Sequence, residues 1–366
     1  MKRICFFLGT EAELIKVCTV IRSLEDRKNP YILIASGQND LTASRVLQYA
    51  NGGRIDLELS KEKDIRKSAR GLLSWYMNTE KNAAEKIKKA FPDLNYAQSI
   101  MVVHGDTVST VMGARIGKKL GMTVAHVEAG LRSHNWFNPF PEEIDRSLVS
   151  DIARIHFAPG DEAVNNLRKA KGTVINTKYN TIIDSINASR NIECASSFVD
   201  EMTHQQYVVL VLHRQENLAN TELVKKIVSL AENLSRNQKC VFIMHKPTEV
   251  TLRNLGLYEE LEADDNIILP PRTDYFDFTK LLSNAQFVIT DGGSNQEELS
   301  YMGVPCCIVR KNTERNDGLG ENAVLYQNDF NVIAEFAKHP ENYRREPVIP
   351  SESPTEIIAE ELVRRI

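Results

Sequence analysis

Short apolar runs alternate with stretches in which apolar residues return every third or fourth position, and the alternation continues along the whole chain. The runs have the length of buried strands, and the intervening stretches have the period of helices that cross from one parallel strand to the next. In the first half the predicted strands are residues 3–8, 31–35, 99–103, 122–127 and 154–158; in the second they are 207–212, 241–244, 266–269, 286–289 and 306–309. A helix is predicted over 12–24, where Leu14, Val17, Cys18 and Ile21 share a face and Lys16 falls in the early turns. Residues 187–204 are polar and strand-poor, which marks a linker. The expected architecture is α/β, with two Rossmann-like, doubly wound domains, 1–186 and 187–353, facing a central cleft, and a terminal helix over 354–366 placed to pack back on the first domain.

Composition narrows the class. A chain of 366 residues exceeds one hydrophobic core, and 42% hydrophobic with 26% charged residues is the balance of a globular protein. The formal charge of −4 lacks the basic footprint of a nucleic-acid binder, so nucleic acid is not an expected partner. The opening Met1-Lys2-Arg3 and the short apolar run after it lack the length and cleavage site of a signal peptide, and that run reads as a first strand ending at Gly9-Thr10. No apolar run is long enough for a membrane span. The six cysteines show no metal spacing and sit mostly in apolar runs, so a reducing cytoplasm is expected, with no required metal or cofactor.

Candidate chemistry gathers where predicted strands end. His104-Gly105-Asp106-Thr107 follows one strand, Glu128 closes the next, and Pro141-Glu142-Glu143 with Arg146 comes shortly after. Residues just past the carboxyl ends of parallel strands border the ligand crevice, so these acids and the arginine suit proton transfer beside an anionic substrate. The alternative is that the acids cap helices, where Asp and Glu are favoured. Gly105 and the Ala129-Gly130 pair would permit close backbone approach, which capping does not require.

A second cluster falls in the second half. Gly292, Gly293 and Ser294 stand between a strand and a helix, where first-turn amides make an anion site, and Glu297, expected in the first turn, could bind sugar hydroxyls. A glycine-rich turn without a ligand is the alternative. His213 and Arg214 follow the first strand of this half and could donate to phosphate; a core histidine is the alternative for His213. His245 ends the next strand before Pro247, where an ordinary loop would serve equally, and Arg315 lies in the polar loop 310–317.

These residues resemble the non-hydrolysing UDP-N-acetylglucosamine 2-epimerases of bacterial surface-polysaccharide synthesis. The shared motifs are Gly9-Thr10 with Ile15-Lys16, His104-Gly105-Asp106-Thr107, His126 through Arg132, Pro141-Glu142-Glu143 with Arg146, Asn180-Thr181 with Asp184, His213-Arg214 with Glu216-Asn217, Gln296-Glu297-Glu298, and Thr313-Glu314-Arg315. The resemblance implies a GT-B-like fold, often a homodimer, acting on a UDP-sugar substrate: UDP-GlcNAc becomes UDP-ManNAc by loss and re-addition of UDP through a glycal. It aligns Asp106, Glu128, Glu142, Arg146, His213 and Lys16 with catalytic positions. Departures stand beside it. Glu11 replaces a nucleotide-contacting arginine, Tyr179 replaces a glycine, and the usual Ser-Gly-Gly becomes Gly292-Gly293-Ser294. Other expectations remain open: a hydrolysing 2-epimerase, an epimerase of another nucleotide sugar, a GT-B glycosyltransferase, or a sensor that binds without turnover.

Overall fold

The computed structural model describes residues 1–61, 69–133, 141–313 and 315–366. The chain divides into two units, Met1–Ser185 with Pro350–Ile366, and Ile186–Ile349.

In unit 1 the strands are β1 (Ile4–Leu8), β2 (Tyr31–Ala35), β3 (Leu57–Glu58), β4 (Ile100–His104), β5 (Thr123–Val127), β6 (Ile155–Ala158) and β7 (Thr173–Asn176). Among the described residues they form one parallel sheet in the order β3-β2-β1-β4-β5-β6-β7. The order reverses direction between β1 and β4, which opens a crevice at their carboxyl ends. The central strands are continuous apolar runs because both faces are covered. Cys5 and Phe7 of β1 pack with Trp75, Ile87, Val111 and Met112 from flanking helices, and full burial of a side chain such as Phe7 stabilises the fold by about 1.5–3 kcal/mol.

The helix after β1, Glu11–Asp26, begins in a capping box: Thr10 accepts from the Glu13 amide while the Glu13 carboxylate reaches back to the Thr10 amide. Its predicted core face of Leu14, Val17, Cys18 and Ile21 is buried. The terminal helix Pro354–Arg364 lies against it, with Thr19 and Thr355 hydroxyls 2.6 Å apart and the Ser23 hydroxyl donating to Glu356 at 2.9 Å.

Unit 2 repeats the plan. Its strands are β8 (Tyr207–Leu212), β9 (Lys239–Met244), β10 (Ile267–Ile268), β11 (Val288–Thr290), β12 (Cys306–Ile308) and β13 (Ala323–Leu325), parallel, in the order β10-β9-β8-β11-β12-β13. The direction changes between β8 and β11. The expected linker over 187–204 holds more structure than its polarity suggests. A helix, Ser197–Met202, buries Val199 and Met202, and the Ala195 and Ser196 amides donate to Asp277, so two apolar anchors and one carboxylate suffice to fold it. Among the described residues, no helix is long and apolar enough to cross a membrane.

Candidate active site

In unit 1, β4 and β5 pair so that His104 lies opposite Val127. The residues that follow, Gly105-Asp106 and Glu128, therefore leave the sheet side by side. The Gly105 amide donates to the Val127 carbonyl at 3.0 Å, and the buried His126 Nε2 lies 2.7 Å from the Gly105 carbonyl, so the two loops are tied together. Gly105 has φ +69 but a Cβ there would meet nothing within 4 Å; it is required for its left-handed backbone, not for the close approach expected of it. At Gly130 the approach is close, since a Cβ would come 2.3 Å from the Ala163 carbonyl oxygen.

Glu128 also has positive φ, +63, an uncommon conformation for a residue with a side chain and one that costs on the order of 1–2 kcal/mol. Its surroundings hold it there. Lys16 Nζ lies 2.5 Å from Glu128 Oε2, the Asn180 amide donates to the same oxygen at 2.6 Å, and His104 Nε2 is 3.4 Å from it. With its side chain only 7% exposed, Glu128 is a buried carboxylate matched by a cation and an amide.

Asp106 is held by Arg146, whose Nε and Nη2 lie 2.9 and 2.6 Å from Oδ2. Arg146 stands one turn into the helix Glu142–Ile152, and its Nη1 is 3.4 Å from Glu143. Glu143 is buried and accepts from the Ser133 amide at 2.9 Å, which anchors the loop. Glu142 precedes it, and its buried Oε2 has no hydrogen-bond partner among the described residues. Asp145, on the same turn, has its carboxyl pushed up to about 7 by burial, then by the charges of Asp106 and Glu142.

Capping does not account for Asp106 or Glu128. The helix after β4, Val108–Lys119, is capped by Thr107 with Thr110, and the helix Glu142–Ile152 has Pro141 at its N-cap with no side-chain cap. The buried acid with a capping role is Glu13. It accepts from the Gly9 amide at 2.5 Å, the Thr10 amide at 3.1 Å, and the Thr107 and Thr110 hydroxyls, joining the start of the first helix to the loop that carries Asp106. Burial raises its pKa and these donors oppose the rise.

In unit 2, the loop after β8 meets the loop after β11. Asp291 is fully buried and accepts from the His213 amide at 3.1 Å, the Arg214 amide at 2.9 Å and the Asn217 side chain at 3.0 Å, while His213 Nδ1 lies 2.9 Å from Oδ1. Burial would raise the Asp291 pKa, but the donors from His213, Arg214 and Asn217 more than offset it and hold it below the usual value. Arg214 Nε donates to the Asp291 carbonyl. His245 occupies the N-cap position of the next helix, Lys246–Asn254, without a side-chain cap, Pro247 stands in the first turn rather than in a loop, and the His245 ring centroid is 5.0 Å from that of His213.

Gly292, Gly293 and Ser294 open the helix Gly293–Met302. The Gly292 amide donates to the Thr290 hydroxyl at 3.0 Å, so the first-turn amides facing an anion are those from Gly293 onward. Since the helix starts at Gly293, Glu297 is in its second turn, not the first as expected from a start at Gln296. Glu297 is buried and paired with Arg315 Nη1 at 2.8 Å. The Thr313 hydroxyl donates to Gln296 at 2.9 Å and the Gln296 amide donates to the Arg315 carbonyl at 3.1 Å, so the polar loop is fastened to this helix. Glu314 lies outside the described residues.

The structure thus brings together Lys16 with Glu128, and Asp106 with Arg146 beside Glu142, in unit 1. In unit 2 it brings together His213, Arg214 and His245, and separately Glu297 with Arg315 on the helix opened by Gly292, Gly293 and Ser294. Glu13 could have been found from the Thr10-x-x-Glu13 capping-box spacing, whereas Asp145 and Asp291 carry no separate sequence signal, because an acid near a strand end reads the same whether it caps, pairs or positions. Asn180 stands in a recognised motif, but its bond to Glu128 spans 52 residues. Among the described residues no group of three or more His, Cys, Asp or Glu is placed to hold a metal ion.

Two parallel sheets, each with polar side chains at the point where strand order reverses, define a doubly wound α/β protein of the nucleotide-binding kind. A family model described as UDP-N-acetylglucosamine 2-epimerase matches residues 22–347. The chain is 32% identical over 354 residues to the UDP-N-acetylglucosamine 2-epimerase of Methanococcus maripaludis, covering 93% of this chain and 90% of the relative. It is 26% identical to that of Bacillus subtilis, with 92% and 87% covered. Among solved structures, Methanocaldococcus jannaschii UDP-GlcNAc 2-epimerase in complex with UDP-GlcNAc and UDP matches with a TM-score of 0.75 and 26% identity, covering 99% of each chain. The chain belongs to the UDP-N-acetylglucosamine 2-epimerase family, whose members are isomerases.

Proposed function

We propose that the protein interconverts UDP-GlcNAc and UDP-ManNAc without hydrolysis, by elimination and re-addition of UDP. The observation that carries this reading is the pair of acids at neighbouring strand ends, Asp106 and Glu128, each backed by its own cation, Arg146 and Lys16. One acid takes the carbon-2 proton as the bond between carbon 1 and the diphosphate oxygen breaks, leaving a 2-acetamidoglucal and UDP. The diphosphate oxygen then re-adds to carbon 1 while a proton reaches carbon 2 on the opposite face, so atoms and charge balance over the cycle. Two acids serve a reversible reaction, since each is base in one direction and acid in the other. Glu142 supplies a further carboxyl beside them. In unit 2, the first-turn amides from Gly293 and the donors Arg214, His213 and His245 suit a diphosphate, and Glu297 with Arg315 suits the nucleoside end. The M. jannaschii relative crystallised with UDP-GlcNAc and UDP supports this choice of ligand.

On this reading the first unit carries the acids and the second the nucleotide, and the protein is a cytoplasmic homodimer supplying a precursor for surface polysaccharide. The deciding experiment is proton NMR of the protein with UDP-GlcNAc in deuterated buffer. Deuterium entering carbon 2 together with UDP-ManNAc is expected. Stoichiometric free sugar and UDP would establish hydrolysis instead, and no exchange would point to another nucleotide sugar or to a transferase.

A further inference from the structure

We propose that Asp291 is a positioning residue for His213, holding the ring with Nδ1 turned inward and Nε2 as the only edge open to a ligand. The inference rests on the proposed function for His213's part in the reaction, but its geometry stands apart from that.

Asp291 follows β11 and His213 follows β8, and these strands pair at the reversal point of the sheet, with Thr290 opposite Val211. The Asp291 carboxylate is 0% exposed, and the His213 amide, the Arg214 amide and the Asn217 side chain all donate to it. A carboxylate so enclosed cannot reach a substrate. What it faces is the ring: Nδ1 stands 2.9 Å from Oδ1 without the alignment of a full hydrogen bond, and at that distance a carboxylate oxygen repels a nitrogen lone pair and attracts an N–H, which favours the Nδ1–H tautomer. The His213 side chain is 36% exposed, so the ring is anchored on one edge and open on the other. Its third side is also set. A Cβ at Gly292 would come 3.3 Å from His213 Cε1, so the ring rests against the opening of the helix Gly293–Met302.

With Nδ1 committed, any proton that His213 exchanges with a bound molecule passes through Nε2. A neutral ring offers Nε2 as an acceptor and a protonated ring offers an N–H donor, the two states needed opposite a diphosphate oxygen that leaves and returns. His245, 5.0 Å away, does not share the task. Partial loss of solvent lowers its pKa, and His213 when protonated and the Arg272 guanidinium lower it further, which favours its neutral form.

The test is nitrogen–proton correlation NMR of the wild-type protein grown with isotopically labelled histidine, at a pH where the ring is neutral, with the His213 signal assigned by its loss in His213→Gln. An Nδ1-protonated ring with a bare Nε2 is expected. An Nε2-protonated ring, or the mixture found for free imidazole, overturns the proposal. Asp291→Asn, whose amide can turn a donor toward Nδ1, is expected to abolish the Nδ1–H signature. It should also lower kcat about a hundredfold or more with KM little changed, as loss of the correct tautomer does elsewhere. Retention of the signature in a folded Asp291→Asn variant overturns the proposal; should that variant not fold, the wild-type spectrum alone decides. Full turnover in His213→Gln would instead remove His213 from the reaction and leave the tautomer assignment standing.

Discussion

Replacing Asp145 with Asn should make unit 1 more stable at neutral and mildly alkaline pH and leave it nearly unchanged in acid. Asp145 follows Glu142 and Glu143 in the first turn of its helix, beside Asp106, and its pKa rises from 3.8 to about 7. The folded protein therefore holds a proton that the unfolded chain has already released between those values. The contribution of this group is fully present below about pH 4 and is lost as pH rises through about 7. A shift from 3.8 to about 7 corresponds at most to about 4 kcal/mol, at about 1.4 kcal/mol per pH unit. The side chain is partly exposed, and solvent screening reduces the expected effect to about 1–2 kcal/mol. Asn keeps the shape and cannot titrate. Trp75 is buried in unit 1 and residues 186–349 contain no tryptophan, so urea unfolding followed by tryptophan fluorescence reports on unit 1. Wild type and Asp145→Asn compared at about pH 4 and about pH 8 should diverge by about 1–2 kcal/mol at the higher value only. Parallel pH dependence of the two proteins would refute the argument and place Asp145 in ordinary solvent.

Asp106→Asn and Glu128→Gln should each abolish turnover while UDP affinity by calorimetry is retained, because the proton-transfer group is lost at nearly constant shape; wild-type turnover in either removes that residue from the mechanism. Lys16→Met should destabilise unit 1 by about 3 kcal/mol in the same fluorescence assay, since it strands a buried carboxylate, and a loss below about 1 kcal/mol would show that Asn180 suffices to hold Glu128. Glu297→Ala should weaken UDP binding about tenfold, equal to about 1.4 kcal/mol; unchanged affinity would confine Glu297 to its pair with Arg315.

The central strands were legible because both faces of each sheet are covered, which leaves continuous apolar runs bounded by turn residues. The edge strands β3, β7 and β13 were not. They are two to four residues long, and β3 and β7 are buried on neither face, so Leu57–Glu58 and Thr173–Asn176 show neither a run nor an alternation. Helix starts were misjudged by a few residues where glycine leads: Gly293 opens its helix three positions ahead of the apolar pattern, which moves Glu297 one turn inward. Within the site, residue identity and strand-end position pointed to Asp106, Glu128 and Arg146. The pairings did not follow from them. Lys16 and Glu128 are 112 residues apart, and only the neighbouring of β1 and β4 brings the first helix over the end of β5's partner strand.

Asp106 and Asp291 show why identity alone stops short of role. Each follows a strand at a reversal point, and each has a basic residue nearby in space. Asp106 is held by a guanidinium on one oxygen and its side chain keeps 24% of its surface open, so it remains reachable from outside. Asp291 is satisfied by backbone and side-chain N–H groups on both oxygens and keeps no open surface, so it can act only through what it holds. The number of donors and the remaining exposure separate an acid open to a ligand from one enclosed by its neighbours, and both are set by how the loops meet rather than by the letter at the strand end.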